Sequence, residues 1–544
     1  MPLIGAEAAA ASLAAFLSSA ILYAYLADRL GLAIAPLPLL SLAAATAAAV
    51  WLRLRRRAMA DRAAAAAWAA LTLGTFACLM IRARPDFLPT GTGSDLAHHL
   101  ALLAFIEQHW RLPHDPVLGA YLGEMIDYTP GFHLLAVLAG TWIRRDALHA
   151  VHTLIALTAA LKCGFVFLIA RRLLPDGVPR LPFAAVAVLL LWLPYTLFAG
   201  SFMAQSFLSQ VVSELFAVAM WWALAVWIAQ PAAGAMALFA LFGVAAFLTW
   251  PIWVGPLAAT LAFVVLSQRE LAVRQRVRDL VVGLLPVAGI AAMYVSTRLV
   301  YGLDMVNAVG FAIWPGPRTL GWPFLLLAAG GLGWSATDRR ARSAAVLFGF
   351  IALQGAALIV FGRSSGATAP YLSLKMAYLA IYPMAIAASA LLALAWRAAL
   401  RPAAAARYAW AAVILAALAA GRSLMQAAPV KPVVTQSVFL AGDWARTHLP
   451  PACVDYLVAD GYTAYWLHLA VLGNPRAAGR ALDNDTFEPP KAIVRWILPG
   501  GLPYAIAGDF EALPRDIRTN VDVLARFGPA AVVKRRGAAV CPEP

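Results

Sequence analysis

The chain has 544 residues, of which 62% are hydrophobic and 13% charged, and its mean hydropathy is +0.76. A water-soluble protein of this length exposes far more charge, so the composition excludes a soluble enzyme and predicts a multi-pass membrane protein. The net charge of +15 raises the question of a nucleic-acid partner, and the placement of that charge along the chain answers it.

The N-terminal "MPLIGAEAAAASLAAFLSSAILYAYLADRLG" lacks the basic stretch that opens a secretory signal, and its apolar run is long enough to span. It is expected to remain as the first membrane helix. Apolar runs then predict about thirteen spans of ~20 residues each, at 6–27, 33–52, 63–81, 147–170, 181–199, 212–229, 234–249, 251–267, 279–299, 320–336, 343–361, 375–396 and 408–424. Alternate connections are basic. "RLRRRAMADR", "RRLLPDGVPR", "SQRELAVRQRVRD", "ATDRRARS" and Arg397, Arg401 and Arg407 together carry 18 arginines against five acids. Such a bias marks the cytoplasmic side of a membrane and accounts for nearly all the excess charge, so no nucleic acid is expected. The loops at 82–146, 200–211, 300–319 and 362–374, and the tail from 425, then fall on the outer face of a cytoplasmic (inner) membrane.

Three parts follow. Residues 1–57 form an Ala-rich transmembrane hairpin with few polar groups, and residues 58–424 form the membrane body. Residues 425–544 carry 12 Lys or Arg against 11 acids, an ordinary soluble balance. In this tail "VDYLVAD" and "AAVVKRRGAAV" read as strands, and "DIRTNVDVLARFG" reads as a helix stopped by its glycine. The predicted fold class is mainly α: a polytopic helical bundle with two juxtamembrane helices in the first long outer loop and a small C-terminal α/β domain outside the membrane. Cys78 and Cys163 fall in spans as small apolar side chains. Cys453 and Cys541 fall in the tail, where an oxidising compartment permits a bridge; two free thiols are the alternative.

The loop 82–146 is the longest connection in the membrane body. "GTGSDLAHHLALLAFIEQHWR" predicts a helix from a Ser94 cap to Arg111, with Pro113 beyond it. Leu96, Leu100, Leu103 and Ile106 recur at helical spacing, which suggests an amphipathic helix lying on the membrane surface. "YTPGFHLLAVLAGTWIRR" predicts a second helix, too short to span. Asp95 sits in the first turn of the first helix, with His98 and His99 three and four positions on, near one face. Taken alone this is equally a solvated helix start, because the macrodipole favours an acid there. The neighbourhood is unusual, however. The loop also holds His114, Asp115, Glu124, Asp127, Tyr128 and His133, and seven of the sixteen acids outside the tail. His98, His99, His114, Asp115 and Asp127 are plausible metal ligands, but none of their spacings is that of a structural zinc site. A divalent metal stays possible and no metal site is assigned.

Further along, "GSFMAQSFLSQVVSELF" places Gln205, Ser209, Gln210, Ser213 and Glu214 in and after a short outer turn. A Glu214 inside the bilayer must pair or stay neutral. Lys162 is expected to snorkel to the cytoplasmic side and receives no role. In "GRSSGATAPYLSLKMAYLAIYP", Arg363 and Lys375 flank a loop rich in Ser, Thr and Tyr. They are candidates for holding an anion, with simple snorkelling as the alternative for Lys375. Asp304 and Trp314 are weaker candidates for touching an acceptor. In the tail, Tyr462, Tyr465 and Trp466 suit a sugar-stacking surface, a domain core or a contact with the membrane body.

The order D-x-x-H-H on a helix after an early span, then "LPHDP", then "YTPGFHLLAVLAG", then a span ending "FLIARRLL", resembles the lipid-dependent glycosyltransferases of the GT-C superfamily. These include the protein O-mannosyltransferases, the aminoarabinose transferases of lipid A and the mycobacterial arabinofuranosyltransferases. The resemblance covers residues 63–424 in architecture and 91–172 in motif. It implies transfer of a sugar, with inversion, from a polyprenyl-phosphate donor in the membrane lipid to a hydroxyl on a glycan, lipid or protein acceptor. Such chemistry needs a carboxylate to take the hydroxyl proton and donors or cations to hold the departing phosphate. Asp95 matches the essential acid of the family's first outer loop and is implied to be the base. Some family members carry a basic residue before the proline of the second surface helix. Here that stretch reads Asp127-Tyr128-Thr129-Pro130, so the phosphate falls to Arg363 and Lys375. His98 and His99 are the alternative donors to phosphate or sugar, and Asp127, Tyr128, His133 and Gln205 complete the substrate-binding set. A transporter or lipid-linked-saccharide flippase would gather ionisable groups near the midplane, often in related halves. An oligosaccharide polymerase or ligase would gather arginines and a histidine in one large late loop. These are the alternatives.

Overall fold

Long runs of Ala, Leu and Val fold as helices here because, in a bilayer, every backbone N–H and C=O must find its partner within its own segment. A computed structural model of the chain describes residues 2–84, 87–91, 94–296, 312–364, 371–399, 402–427, 434–458, 460–474 and 501–537, with a few single positions besides; the side chains of residues 94, 95, 120 and 402–407 lie outside the description. The membrane body is built from α1 (Gly5–Arg29), α2 (Pro36–Arg55), α3 (Arg62–Arg82), α4 (Ser94–His109), α5 (Gly131–Ile143), α6 (Ala147–Leu173), α7 (Arg180–Leu190), α8 (Leu208–Ala229), α9 (Ala233–Thr249), α10 (Val254–Ser267), α11 (Val273–Val295), α12 (Trp322–Thr337), α13 (Arg342–Ser364), α14 (Tyr371–Ala399) and α15 (Pro402–Gln426). Each of the thirteen expected runs contains a helix. Nine described helices are long and apolar enough to cross a membrane. The remaining four, α7, α9, α10 and α12, have 11, 17, 14 and 16 residues. The chain is a multi-pass membrane protein.

α6 and α8 form the buried centre, whereas α2, α13 and α15 stand at the rim with most of their surface uncovered. α1 packs into the body, and both of its acids are engaged. Glu7 holds Arg172 and the Trp222 indole, while Asp28 accepts from the Leu112 amide at 2.8 Å and meets His114 at 2.9 Å. The basic connections meet at one end of the bundle. Arg171 pairs with Asp61 at 2.6 Å, Arg340 with Asp176 at 2.7 Å and Arg339 with Glu270 at 3.2 Å, and Arg397 donates to the Asp176 carbonyl at 2.8 Å.

The opposite end carries α4 and α5, and here one expectation is corrected. α4 does not lie exposed on a membrane surface: from Leu96 to Ile106 every residue but Ala104 is buried. From Leu100 to Ile106 its sequence is apolar all round, and a helical stretch without a polar face is stable only when covered on all sides. The cover comes from the tail. There α16 (Gln436–His448) precedes β1 (Val454–Leu457) and α17 (Gly461–Trp466), which continues as a π turn to Val471 across α4. β2 (Tyr504–Ala507), a short helix (Arg515–Thr519), β3 (Val521–Phe527) and β4 (Ala530–Arg535) complete the tail.

The sheet order is β1-β2-β4-β3, with β1 parallel to β2 and the other pairs antiparallel. The helix expected over "DIRTNVDVLARFG" is a second correction, since only Arg515–Thr519 is helical and Val521–Phe527 is a strand. Gly528 is not a helix stop. At φ +60° it takes the first corner of a two-residue Gly528-Pro529 hairpin that returns into β4, a corner that glycine accepts without strain. Cys453 and Cys541 form a disulfide, with Cα atoms 5.1 Å apart.

Candidate functional site

Two glycines bring the segments at this end together. Gly131, opening α5, lies so close to the end of α9 that a Cβ there would sit 2.8 Å from the Leu248 carbonyl oxygen, and Thr129 beside it donates to the Thr249 carbonyl at 2.9 Å. Gly91, just before α4, has φ +114°, and a side chain there would collide with Ser206, itself at φ +57°. The Ser206 hydroxyl donates to the Thr90 carbonyl at 3.2 Å. The chain leading to Asp95 is thereby pinned to the turn that carries Gln205, and Tyr128 and His133 are pinned beside Trp250.

The first group of side chains lies on α4 and α5. His98, buried, reaches Glu124 through Nδ1 at 2.7 Å and the Tyr465 hydroxyl through Nε2 at 2.9 Å, so one imidazole ties the segment between α4 and α5 to the tail. His99 Nδ1 and His133 Nε2 are 3.0 Å apart. The His99 ring stands edge-on to Tyr128 with centroids 5.2 Å apart, and Tyr128 in turn faces Trp250 at 6.2 Å. Burial, reinforced by His99, holds His133 well below the usual imidazole range, so His133 is neutral. Asp127 is half-buried and its carbonyl accepts from the Tyr294 hydroxyl.

The second group lies at the start of α8. Gln205 accepts from the Tyr378 hydroxyl at 2.7 Å, and Tyr378 packs edge-on against Phe207. Lys375 is buried, its ammonium against the Phe207 ring and 5.0 and 5.5 Å from the centres of Tyr371 and Tyr378. Both groups border the N-terminal end of α8, because Ser213 on that helix donates to the Trp250 carbonyl at 3.1 Å. Arg363 is not drawn in; it is exposed in the last turn of α13. Asp95 occupies the first turn of α4, but its side chain lies outside the described residues, as does Asp304. Trp314 is exposed.

Five polar atoms near this end of α8 are buried without a hydrogen-bond partner among the described residues: Thr90 Oγ1, His133 Nδ1, Ser209 Oγ, Gln210 Oε1 and Trp250 Nε1. Buried polar groups are normally satisfied, and these five lie on segments that meet around the start of α8. Among the described residues no three His, Cys, Asp or Glu side chains lie close enough together to hold a metal ion.

One feature escaped sequence reasoning. Lys162 does not snorkel. It is fully buried and pairs with Glu214 at 2.5 Å, and Glu214 also accepts from Tyr382 at 2.6 Å and Gln210 at 3.1 Å. Their separation of 52 residues hides the pairing. Tyr465, read from the sequence as a sugar-stacking, core or membrane-body contact residue, takes the last of these roles through His98. Trp250 carried a signal, since Trp250-Pro251 breaks an otherwise continuous apolar run.

By sequence, the chain matches no family model and no curated protein. By shape it is similar to the oligosaccharyltransferase of Archaeoglobus fulgidus in its apo form, with a TM-score of 0.50, 13% identity, and 82% of this chain and 70% of that one covered. It is also similar to the oligosaccharyltransferase AglB from Archaeoglobus fulgidus in complex with an inhibitory peptide and a dolichol-phosphate, with a TM-score of 0.49, 13% identity and coverage of 82% and 69%. The likeness is one of fold, shared with an archaeal oligosaccharyltransferase over most of both chains.

Proposed function

We propose that the protein is a membrane glycosyltransferase. It moves a sugar, with inversion, from a polyprenyl-phosphate donor to an acceptor hydroxyl at the end of the bundle covered by α4 and the tail. The observation that carries this reading is the convergence of the five unpartnered polar atoms with the histidines of α4 and α5 at that one end. Asp95 is the general base. His99, Asp127, Tyr128, His133 and Gln205 hold sugar and acceptor, His98 ties the loop after α4 to the tail beside them, and Lys375 holds the phosphate, with the exposed Arg363 left outside the site. An ammonium buried among aromatic rings, as Lys375 is, gains from an approaching anion because little water screens the pair. The basic loops gathered at the far end support an orientation with the site outside the cytoplasm. We assign residues 425–544 to a separate outer domain on the same grounds.

The test is transfer of radiolabelled sugar from a polyprenyl-phosphate donor pool to endogenous acceptors in membranes, comparing wild type with Asp95→Asn. Loss of a general base is expected to lower transfer by roughly 100-fold or more at normal protein level. Undiminished transfer would remove Asp95 from the mechanism. Absence of transfer by both proteins would favour the transporter.

A further inference from the structure

The end of the bundle opposite the candidate site holds a cavity of about 250 Å³ between α2, the end of α8 and the start of α9. Its walls are largely apolar, with Val50, Leu54, Val226 and Leu238 among them, and three arginines line it: Arg53, Arg57 and Arg172. They are not equivalent. Arg172 is buried and grips Glu7 with two nitrogens, Nε to Oε1 at 2.5 Å and Nη2 to Oε2 at 2.8 Å. Its charge is cancelled within the fold. Arg53 and Arg57 are exposed, and neither has a carboxylate within ion-pair distance among the described residues.

Arg53 has a second positive neighbour. Its guanidinium lies 4.0 Å from the point where a side chain on Gly234 would begin, in the first turn of α9. That helix start has no side-chain cap. A helix N-terminus is the positive end of its dipole and favours an anion, so a cation alone is the wrong neighbour for it. Two unneutralised guanidinium groups and an uncapped helix start therefore border one cavity whose other walls are largely apolar. Both arginines are exposed at the end of α2, where long basic side chains reach the membrane surface and attract anionic headgroups. The rim helix α2 continues the apolar surface outward through Leu42 and Leu52, both exposed.

We propose that this cavity is a binding site for one anionic glycerophospholipid of the bilayer. Arg53 and Arg57 take its phosphodiester, and its acyl chains lie along the exposed face of α2. A lipid supplies both parts that the cavity asks for: an anion at the arginines and hydrocarbon against the leucines. The proposal does not depend on the reaction at the other end of the bundle.

The experiment is a thermal-melting titration of the purified full chain in detergent with phosphatidylglycerol, phosphatidylcholine or inorganic phosphate. Wild type is to be compared with Arg53→Gln/Arg57→Gln and with Arg53→Lys/Arg57→Lys. Phosphatidylglycerol is expected to raise the melting midpoint saturably. Loss of two interfacial cations shifts the half-saturating concentration upward by roughly 30-fold in the Gln variant, and the Lys variant stays nearer wild type. An equal rise with phosphatidylcholine, an equal rise with inorganic phosphate, or identical curves for wild type and the Gln variant would each overturn the proposal. Native mass spectrometry of wild type released from equimolar mixed-lipid nanodiscs keeps the test open if the Gln variant does not fold. Preferential retention of phosphatidylglycerol supports the site, and equal retention of both lipids refutes it.

Discussion

The Lys162–Glu214 pair and the histidine cluster of α4 and α5 are both polar islands in an apolar protein, and both border α8, but they are built differently. At the pair, the carboxylate accepts from Lys162, Tyr382 and Gln210, and the residues that carry it are wholly buried. At the histidine cluster, imidazoles contact one another and aromatic edges, while His133 Nδ1 and Trp250 Nε1 have no partner among the described residues. A carboxylate with its hydrogen bonds already met has little left to offer a ligand; its work is to tie α6, α8 and α14 together. The cluster with partners still to find is the one suited to chemistry.

The contrast breaks most sharply at Glu214. Glu214→Leu leaves Lys162 buried without its counter-charge and is expected to cost about 3–5 kcal/mol, seen as a collapse of the melting midpoint or of folded yield. Lys162→Met/Glu214→Leu removes both charges and should recover most of that loss, because burying an ion pair is nearly balanced by its desolvation. A double variant that melts normally yet transfers no sugar would move the pair from scaffold to site. The complementary change is His133→Phe, which keeps a flat ring of similar size and removes the unpartnered nitrogen. Only the contact to His99 is lost, so stability should change by about 1 kcal/mol or less, while transfer falls. Unaltered transfer in a well-folded His133→Phe would take His133 out of the substrate site.

The same contrast explains what the sequence could disclose. The bundle was legible because lipid imposes long uniform apolar runs. Asp95, His98 and His99 were legible as a group because polar residues are rare in such a chain and these lie within one helical turn. The pairing of Lys162 with Glu214 was not legible, because nothing local distinguishes a lysine that snorkels from one that meets a carboxylate on another helix. The burial of α4 was half legible. Its apolar row predicted one covered face, but Ala97, Ala101 and Leu102 are buried as well, and the tail packs across the helix. The hairpin at Gly528-Pro529 was misread because a glycine after an apolar run ends a helix or turns a strand with equal ease, and the pairing of β3 with β4 decides between them.

The seam between α4 and the tail provides the smallest expected effect and the most specific one. Glu107, near the end of α4, accepts from the Ala147 amide at 3.0 Å and lines a small cavity of about 80 Å³ with Asp146, Asp443 and Arg446. Burial pushes its carboxyl up to about 7, more than the Ala147 hydrogen bond pulls it down. A carboxyl raised above its unfolded value near 4.5 holds a proton in the folded protein that the unfolded chain has already released. Between about pH 4.5 and 7 the folded state therefore binds more protons, and stability falls as pH rises through that window. Above it the penalty for ionising in the seam is complete. Glu107→Gln abolishes the titration while keeping an oxygen for Ala147, and should stabilise the protein at pH 8 by about 1 kcal/mol, the partly wet setting of the carboxyl being allowed for. At pH 4.5 the two proteins should melt together. Melting curves that run parallel from pH 4.5 to 8 would mean that water reaches Glu107 freely, and that the tail covers α4 less tightly than the burial of Leu96–Ile106 implies.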